Sequence, residues 1–322
     1  MKFAEPILLV SKCLEFDNCR YDGNRLNSPL VYKLQKFVKF IPVCPEVAIG
    51  LGTPRTPIRM INVDKDLRLQ EFWTDRDLTD KINDFSSNFF DTLDVIDWAI
   101  LKSRSPSCAL NNAKVNNWDI GLEKIENLKA WFFAKFLYKR FPLIPKEDEG
   151  RILSYKIRDE FLIKIFTLAE FRELKAEKKI SKIIEFHSKH KYLLMAYSQS
   201  ELNKLWNVLA CYDKTNYDEI ESAYEKYLQE LFIEDKSQKN FLNAISHIFW
   251  YFKKNISSEE KQFFLNTVEL FKEWRIPTTV IIHMLKWWAI AYKMDYILQQ
   301  SILNPYPEAL IDLSDSWKKI NI

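Results

Sequence analysis

Residues 7–13, ILLVSKC, form a short apolar run that ends in a turn and a cysteine. Two later segments repeat this arrangement: VKFIPVCPE at residues 38–46 and WAILKSRSPSC at residues 98–108. Apolar runs of about 4–8 residues separated by helix-length segments are typical of strands in a parallel sheet. Because the carboxyl ends of parallel strands meet at one edge of the sheet, we expect the three cysteines to converge there.

The three cysteines of these segments are Cys13, Cys44 and Cys108. Thiolate ligands suit zinc or an iron–sulfur cluster. The repeated placement therefore predicts one shared metal cofactor, and with it an enzyme.

The pattern of the first half of the chain predicts alternating strands and helices. We expect strands at Pro6–Val10, Phe40–Val43, Val95–Leu101 and 141–145 (FPLIP), and helices at Pro29–Val38, Thr74–Leu93 and Glu123–Arg140. The stretch up to Trp73 has room for one more short strand. This alternation predicts an α/β domain over residues 1–165, with a Rossmann-like, doubly wound, mostly parallel sheet.

From about Ile157 onward, apolar residues recur at spacings of three and four, as in EFLIKIFTLAEFRELK and DEIESAYEKYLQELF. This spacing is typical of helices packed in a bundle. We therefore predict a C-terminal, all-α helical bundle domain over residues 166–322. The prolines of SILNPYPEAL, residues 301–310, predict an extended tail that leaves the bundle.

Composition limits the class of protein. The 322 residues fit two domains of about 150 residues, and 47 basic against 44 acidic residues leave a net charge of only +3. Five cysteines, an odd number, favour a reducing compartment. The chain shows no secretory leader and no apolar stretch of about 18 residues, so we expect a cytoplasmic protein and no membrane.

Glycine is scarce, and its placement is informative. Of five glycines, Gly23, Gly50 and Gly52 follow shortly after two of the cysteine segments. Since glycine permits positive φ and close backbone approach, this placement predicts tight loops around a ligand.

Several motifs resemble known families. The segments VSKCLEFDNCRYDGN, VCPEVAIGLGTPRTPIRM, LKSRSPSC and FPLIPKEDEGRI resemble the bacterial thiouracil desulfurase family. The segments FHSKHKYLLMAYS, YFKKNISSEEK, RIPTTVIIHML and NPYPEAL resemble the YbgA-type helical domain often fused behind it. The whole arrangement is similar to fused desulfidases that act on 4-thiouridine in transfer RNA.

The resemblance implies that Cys13, Cys44 and Cys108 hold a [4Fe-4S] cluster. Three protein ligands leave one iron open, as a catalytic metal requires. By the family's mechanism this iron captures the thiocarbonyl sulfur of the substrate, water attacks the ring carbon, and sulfide leaves. Glu46 would be the general base for that water, and Ser105 would donate a hydrogen bond or a proton to the ring or the departing sulfur. The residues alone leave plainer alternatives open, a helix-capping glutamate and a turn-forming serine.

Other residues of the same loops are candidates for binding the substrate: Ser11, Arg20, Asp22, Arg55 and Ser103. Lys12 and Ser107 lie on these loops too, in reach of the substrate's pyrimidine base or of the cluster sulfides. The alternative is a set of internal ion pairs that hold the loops, and both roles are compatible. Glu149 and Arg151 match an acidic-Gly-Arg segment of the family and are expected to support the loops.

The two remaining cysteines and one departure from the family's motif need separate interpretation. Cys19 is either an alternate ligand or a packed cysteine near the site, and we favour the packed role. Cys211, in a helical run, is expected in the core. Ala109 stands where the family usually has glycine after the third ligand; an alanine is tolerated there only if its φ is negative.

All four histidines lie in the predicted helical domain. His187 and His190 are three residues apart on a helix, but no third ligand completes a zinc pattern, so packing or solvent contact is the favoured interpretation.

The same region is rich in basic residues. Residues 172–191 hold seven Lys or Arg against three Glu, a balance that predicts contact with RNA phosphates through Lys178, Lys179, Lys182 and Lys191. Tyr192, Tyr197, Trp250 and Tyr251 are candidates for stacking unpaired bases. The alternative is a solvated helix face over an aromatic core.

We therefore predict a two-domain desulfidase that removes sulfur from 4-thiouridine in tRNA at a [4Fe-4S] cluster. The first alternative is desulfuration of free 2-thiouracil or thionucleotides, with the second domain serving stability or dimerisation. The second is a non-catalytic RNA-binding protein whose cluster is structural or lost.

Overall fold

The structure is a computed structural model and describes residues 2–63, 66–113, 115–117, 121–123 and 132–312. These residues form two compact units. The first comprises Glu5–Phe161 with residues 310–312, and the second comprises Leu162–Ala309 with residues 2–4. The division between the two units falls after Phe161. The domain boundary predicted after residue 165 lies four residues further along the chain and stays a prediction.

The described residues contain eight strands. In chain order they are β1 (Ile7–Ser11), β2 (Lys39–Val43), β3 (Ile58–Val63), β4 (Asp66–Glu71), β5 (Trp98–Leu101), β6 (Val115–Asn117), β7 (Gly121–Glu123) and β8 (Lys146–Asp148).

The described α-helices follow the same order. They are α1 (Pro29–Leu34), α2 (Pro45–Ala48), α3 (Thr79–Asp91), α4 (Phe132–Arg140), α5 (Tyr155–Lys175), α6 (Ile180–Tyr197), α7 (Gln199–Ala210), α8 (Tyr217–Leu231), α9 (Gln238–Phe249), α10 (Ser258–Lys272), α11 (Thr278–Ala291) and α12 (Asp295–Leu298).

The first sheet is fully parallel and has the strand order β2-β1-β5-β8. The two central strands, β1 and β5, are buried almost throughout, which explains why their sequences are continuous apolar runs. Strand β2 lies at one edge, where its Pro42 is tolerated because an edge strand can lack one ladder donor. The predicted α/β character and parallel sheet are confirmed.

A second sheet of four strands has the order β4-β3-β6-β7. Its pairs are mixed: β3 is antiparallel to β4 and parallel to β6, and β6 is antiparallel to β7. The sequence allowed one further short strand before Trp73, and the other strands of this sheet were not expected. Met60, Leu69 and Ile82 pack in its own apolar cluster, separate from the cluster of the parallel sheet around Leu9 and Phe133.

Four predicted boundaries in this unit are wrong. The strand expected from Val95 begins at Trp98. The helix expected from Thr74 begins at Thr79, because the chain first returns to β4, where the Leu78 N–H donates to the Leu69 carbonyl at 2.7 Å. The helix expected from Pro29 to Val38 ends at Leu34 in a turn. The last strand is Lys146–Asp148 and not FPLIP, whose Pro142 and Pro145 cannot donate to a ladder.

The helix predicted from Glu123 also differs in its described part. Glu123 lies in β7, α4 begins at Phe132, and residues 124–131 lie outside the described residues.

The second unit is helical, as predicted, and no strand occurs in the described chain from residue 149 to 312. The extended tail expected at residues 301–310 is wrong. Ser301–Leu303 forms a 3₁₀ turn whose residues are buried, and Ser301 Oγ lies 2.9 Å from His190 Nδ1. The apolar Ile302, Leu303 and Tyr306 bury their side chains, which outweighs the tendency of the prolines to extend the chain.

None of the helices in the described part of the chain combines the length and apolar character needed to cross a bilayer.

Candidate functional site

The loops that follow β1, β2 and β5 lie together at the carboxyl edge of the parallel sheet. The ends of β1 and β2 are in register, Ser11 opposite Val43, and the Lys12 N–H donates to the Val43 carbonyl at 2.8 Å. From β5, the Lys102 N–H donates to Ser11 Oγ at 2.9 Å, which ties the third loop to the first.

These loops enclose a cavity of about 420 Å³. Its walls carry four thiols, one carboxylate, five cationic side chains and three of the predicted serines; they are Cys13, Cys19, Cys44, Cys108, Glu46, Lys12, Arg20, Arg55, Lys102, Arg104, Ser11, Ser103 and Ser105. The structure thus brings the three predicted ligands and both predicted catalytic residues to one cavity. Their roles stay predictions.

The thiols perturb one another. The pKa of Cys19 is raised to about 11, and the largest cause is its hydrogen bond with Cys13. Cys19 also contacts Cys44. The pKa of Cys44 is raised well above its ordinary value by Cys19 and by burial. Burial, and then the charges of Cys44 and Glu46, raise the pKa of Cys108 to about 12. Without a cation, these groups stay protonated at neutral pH.

The residues fit a cofactor that thiolates bind. Four thiols open into one cavity, and a cation there would remove the cost of their ionisation. Among the described residues, no group of three or more His, Cys, Asp or Glu side chains lies close enough to hold a single metal ion. A four-iron cluster places each ligand on a different iron, so its thiolates need not converge on one point.

Cys19 has more contacts in this cavity than its sequence position suggests. It is buried, 3% exposed, and its carbonyl accepts a hydrogen bond from Arg55 Nη1 at 2.8 Å. It is packed, as the favoured interpretation held, and it also lies beside two of the predicted ligands.

Glu46 lies in the first turn of α2, yet its carboxylate accepts hydrogen bonds from outside that helix. Arg55 Nε donates to Oε2 at 2.9 Å, with Nη2 as a second donor to the same oxygen, and Ser107 Oγ donates to Oε1 at 2.6 Å. The Glu46 side chain therefore does not cap α2 in the described structure. The ion pair is almost fully buried, with the two side chains 7% and 11% exposed.

Ser105 does form the turn that the plainer interpretation expected, since its Oγ accepts from the Cys108 N–H at 3.2 Å. Its hydroxyl also lines the cavity and lies 3.1 Å from Ser107 Oγ. Both interpretations of this serine are compatible with its position.

Ser103 is fastened by Glu149. Its N–H and its hydroxyl donate to the two carboxylate oxygens at 2.6 and 2.8 Å, and Lys102 Nζ donates to Oε1 at 2.7 Å. Glu149 therefore supports the loop, as expected. Arg151 pairs with Glu147 at 2.8 Å.

Two other predicted substrate residues hold the loop after Cys19. Arg20 pairs with Asp22 at 3.5 Å, and only Arg20 of the two lines the cavity. Gly23 has φ +75° and Gly50 has φ +87°, so both adopt the left-handed backbone that the tight loops were predicted to need.

Ala109 adopts no strained backbone. It is fully buried and is not among the described residues with positive φ, so the glycine of the family is replaced without conformational cost.

The core position predicted for Cys211 is wrong. Cys211 is exposed, because it follows directly on the last residue of α7 and starts the turn to the next helix.

In the second unit the basic stretch is not one helix. α5 ends at Lys175 and α6 begins at Ile180, so Lys178 and Lys179 lie in the turn between them. Three of the predicted RNA-binding lysines face carboxylates: Lys178 lies 3.8 Å from Asp218, Lys179 3.4 Å from Glu177, and Lys182 2.9 Å from Glu185. Lys191 instead lies over the ring of Tyr192.

Of the four aromatic residues expected to stack bases, Tyr192 and Tyr197 are buried, whereas Trp250 and Tyr251 are 65% and 44% exposed. His187 and His190 are buried and hydrogen-bonded, His187 Nδ1 lying 3.0 Å from the Tyr224 hydroxyl. Packing, the favoured interpretation of this pair, describes their positions.

Three further side chains line the cavity and were not predicted from the sequence: Lys102, Tyr21 and Arg104. Each is adjacent in sequence to a residue that was singled out. Their position in the same three loops could have identified them, because every polar residue of these loops is a candidate to line the cavity.

The fold and the cavity define the first unit as a parallel-sheet α/β domain with a thiol-lined site at the carboxyl edge of its sheet. Residues 8–149 match the family model described as 2-thiouracil desulfurase. Residues 191–307 match that of a family of proteins of unknown function, DUF1722. The chain is thus similar to the 2-thiouracil desulfurase family in its first part and to DUF1722 proteins in its second, and the predicted resemblance is confirmed.

Individual relatives match parts of the chain. The uncharacterized protein YbgA of Escherichia coli (strain K12) is 24% identical over 157 residues, which are 47% of this chain and 91% of YbgA. The uncharacterized protein YbbK of Bacillus subtilis (strain 168) is 40% identical over 55 residues, which are 17% of this chain and 36% of YbbK. A solved structure of the [4Fe-4S]-dependent thiouracil desulfidase TudS is 23% identical, covers 46% of this chain and 93% of its own, and superposes with a TM-score of 0.35.

Proposed function

We propose that this protein is a desulfidase that replaces the thiocarbonyl sulfur of a thiolated pyrimidine with oxygen from water. The observation that carries the proposal is the shared cavity of Cys13, Cys44 and Cys108 with Glu46 and Ser105. The match of residues 8–149 to the 2-thiouracil desulfurase family supports the same reaction class.

The cofactor we propose is a [4Fe-4S] cluster held by Cys13, Cys44 and Cys108, with one iron left without a protein ligand. When bound, the cluster would supply a soft Lewis acid suited to a thiocarbonyl sulfur. Cys19 lies beside Cys13 and Cys44 and is the alternate ligand to be tested.

Glu46 is the general base in this proposal. Arg55 engages Oε2, so the orientation of the carboxylate is fixed before substrate arrives. A fixed base needs little reorganisation to take a proton from a water molecule held in the cavity. Ser105, on the opposite loop, donates a proton to the departing sulfur.

We propose 4-thiouridine in tRNA as the substrate. In support, the helical unit carries an aromatic surface, which we define as Trp250, Tyr251 and Tyr296 with Lys191 and Lys253. Trp250, Tyr251 and Tyr296 are exposed, the Tyr251 and Tyr296 rings lie 5.7 Å apart, and Lys253 Nζ lies 4.4 Å from the Trp250 ring centre. Aromatic rings beside lysines bind unpaired bases and phosphates together.

Of the four lysines first predicted, this surface includes only Lys191. Lys178, Lys179 and Lys182 stay candidates, but each has a carboxylate neighbour that weakens its attraction for phosphate.

Further proposals concern the fold and the compartment. We propose that the parallel sheet is doubly wound and Rossmann-like and that the helical unit is a bundle. We also propose a cytoplasmic location, because all five cysteines are free and a cofactor held by thiolates needs a reducing compartment.

The cofactor is tested by single Cys→Ser variants purified without oxygen and analysed for iron and acid-labile sulfide. We expect about four irons per wild-type chain and loss of most iron in the Cys13, Cys44 and Cys108 variants. Cys211→Ser, an exposed thiol outside the cavity, is the matched control and keeps the wild-type content. If Cys19→Ser retains its iron, the cluster has three protein ligands. If this variant loses its iron, Cys19 is the fourth ligand. A colourless, iron-free wild-type protein after reconstitution rejects the cofactor.

The substrate is tested by incubating the loaded protein with thiolated tRNA, 4-thiouridine monophosphate and free 2-thiouracil, and measuring sulfide and nucleosides. Desulfuration of tRNA supports the proposal. If only the free base or the nucleotide reacts, the first alternative replaces it. If a loaded protein binds RNA and releases no sulfide, the RNA-binding alternative with a structural cluster replaces it.

A further inference from the structure

Ser107 is a fully buried serine that the proposed reaction has not yet used. Its Oγ lies 2.6 Å from Glu46 Oε1, 3.1 Å from Ser105 Oγ and 3.5 Å from Cys108 Sγ. It is therefore in hydrogen-bond contact with both proposed catalytic side chains, whereas the structure describes no direct hydrogen bond between those two.

The direction of this hydrogen-bonded chain follows from the number of hydrogens. A carboxylate only accepts, so the single hydroxyl hydrogen of Ser107 points to Glu46. The contact between the two serines must then be a donation from Ser105 to Ser107. Ser105 keeps a lone pair for the Cys108 N–H.

The hydrogen-bonded chain ends at Glu46, whose second oxygen is already engaged. Arg55 occupies Glu46 Oε2 with two donors, and the buried pair leaves little room for the carboxylate to turn. Ser107 therefore faces one fixed oxygen, Oε1.

We propose that Ser107 is a positioning residue that connects Glu46 to Ser105, so that the proton taken from water at Glu46 is returned through Ser107 to Ser105 and from there to the leaving sulfur. This inference rests on the proposed function. It explains how a base and an acid on two different loops complete one turnover without exchanging protons with bulk water.

The proton count balances. Once Glu46 is protonated it can donate, so both serine hydroxyls turn and the order of donors reverses. Glu46 then passes the proton of the attacking water to Ser107, Ser107 passes its own to Ser105, and Ser105 gives its own to sulfur. The second hydrogen of the water, lost as the new hydroxyl becomes the carbonyl, takes the same path, so sulfur leaves as hydrogen sulfide. Each side chain returns to its starting state. The net reaction, thiocarbonyl plus water to carbonyl plus hydrogen sulfide, requires no oxidant or reductant.

The test compares Ser107→Ala and Ser107→Thr in protein loaded with its cluster, with thiolated tRNA as substrate. We expect Ser107→Ala to lower kcat by about 10- to 100-fold while KM and iron content stay at wild-type values. Ser107→Thr restores most of the activity, because it restores the hydroxyl. The solvent deuterium isotope effect on kcat should differ between wild type and Ser107→Ala.

The matched control is Ser86→Ala, which removes another fully buried serine hydroxyl, in α3 of the same unit and outside the cavity. It keeps wild-type kcat. The inference is overturned if Ser107→Ala keeps its kcat, if Ser86→Ala loses as much, if threonine gives no rescue, or if activity falls only in proportion to lost iron.

Failure of the proposed function looks different. A fully loaded wild-type protein that releases sulfide from no thiolated pyrimidine overturns the desulfidase proposal, and the inference with it. An active wild type with an unaffected Ser107→Ala overturns the inference alone.

Discussion

At the scale of single residues, the site is distinguished by how completely Glu46 is held. Both oxygens have donors, Arg55 on one and Ser107 on the other, and the side chain is almost fully buried. A buried charged group with this many partners is costly to disturb, so its replacement tests a chemical role only if the fold and the cofactor are checked as well.

Glu46→Gln is the first prediction. Glutamine keeps the shape of the side chain and loses the basic oxygen, so we expect kcat for sulfide release to fall about 100- to 1,000-fold with iron content retained. The control is Glu71→Gln, which breaks another glutamate–arginine pair, that with Arg76, outside the cavity. Equal losses of activity in both variants would contradict a role for Glu46 as the base.

His187 supports the second prediction. Burial, and then the charges of Lys191 and His190, lower its pKa from 6.5 to about 4. As pH falls from 6.5, the unfolded chain binds the proton first, so the free energy of unfolding declines between about pH 6.5 and 4. The loss from this group is on the order of 3 kcal/mol.

The measurement is the urea midpoint of the intact protein across that pH range. His187→Gln should flatten the decline, and His283→Gln, which removes an exposed histidine of α11, should leave it unchanged. If His187→Gln leaves the slope unchanged, the acid sensitivity comes from other groups, such as the ion pair of Glu170 with the buried His190.

At the scale of elements, the start of α10 shows how local sequence sets a helix boundary. Ser257 and Glu260 form a capping box: Ser257 Oγ accepts from the Glu260 N–H at 3.2 Å, and Glu260 Oε2 accepts from the Ser257 N–H at 2.7 Å. Glu260 Oε1 also accepts from Trp288 Nε1 of α11 at 3.2 Å. The cap therefore also connects two helices.

The third prediction is that Ser257→Ala lowers the free energy of unfolding by about 1 kcal/mol, because the Glu260 N–H loses its acceptor. Urea or thermal unfolding measures it. The control is Ser258→Ala at the next position, which lies inside the helix and is exposed, so stability should stay within about 0.5 kcal/mol. Equal effects would remove the capping role of Ser257.

At the scale of the whole molecule, the two units divide the proposed work. The first holds the thiol-lined cavity and the second carries the aromatic surface of Trp250, Tyr251 and Tyr296 with Lys191 and Lys253. The fourth prediction is that Trp250→Ala weakens binding of unmodified tRNA to the full chain by about 1–3 kcal/mol, the typical contribution of one stacked base.

Fluorescence anisotropy with labelled tRNA measures this effect. Trp274→Ala is the control, since Trp274 is equally exposed, at 70%, in the same unit and lies outside the aromatic surface. Lys253→Gln should reduce the salt dependence of binding as well as the affinity. Wild-type affinity of Trp250→Ala would exclude this surface as the RNA site.

Much of the fold is determined locally, and these parts could be predicted. Continuous apolar runs such as ILLV and WAIL specify buried parallel strands, and spacings of three and four specify helices, since each pattern suits one backbone geometry. The helix expected at Thr74 failed for a non-local reason, because residues before Thr79 hydrogen-bond to β4. The second sheet was missed for the same reason, since its short strands gain stability only from their partners.

For the site, the sequence alone determined the types of residue available: three cysteines at strand ends, an acid after one of them and serines before another. Only the tertiary structure decided which of these groups meet. It placed Cys19 beside Cys13 and Cys44, fastened Ser103 to Glu149, put Cys211 on the surface and paired Glu46 with Arg55 and Ser107. The reason is physical, because side-chain chemistry is local, whereas hydrogen bonds and burial depend on segments far apart in the chain.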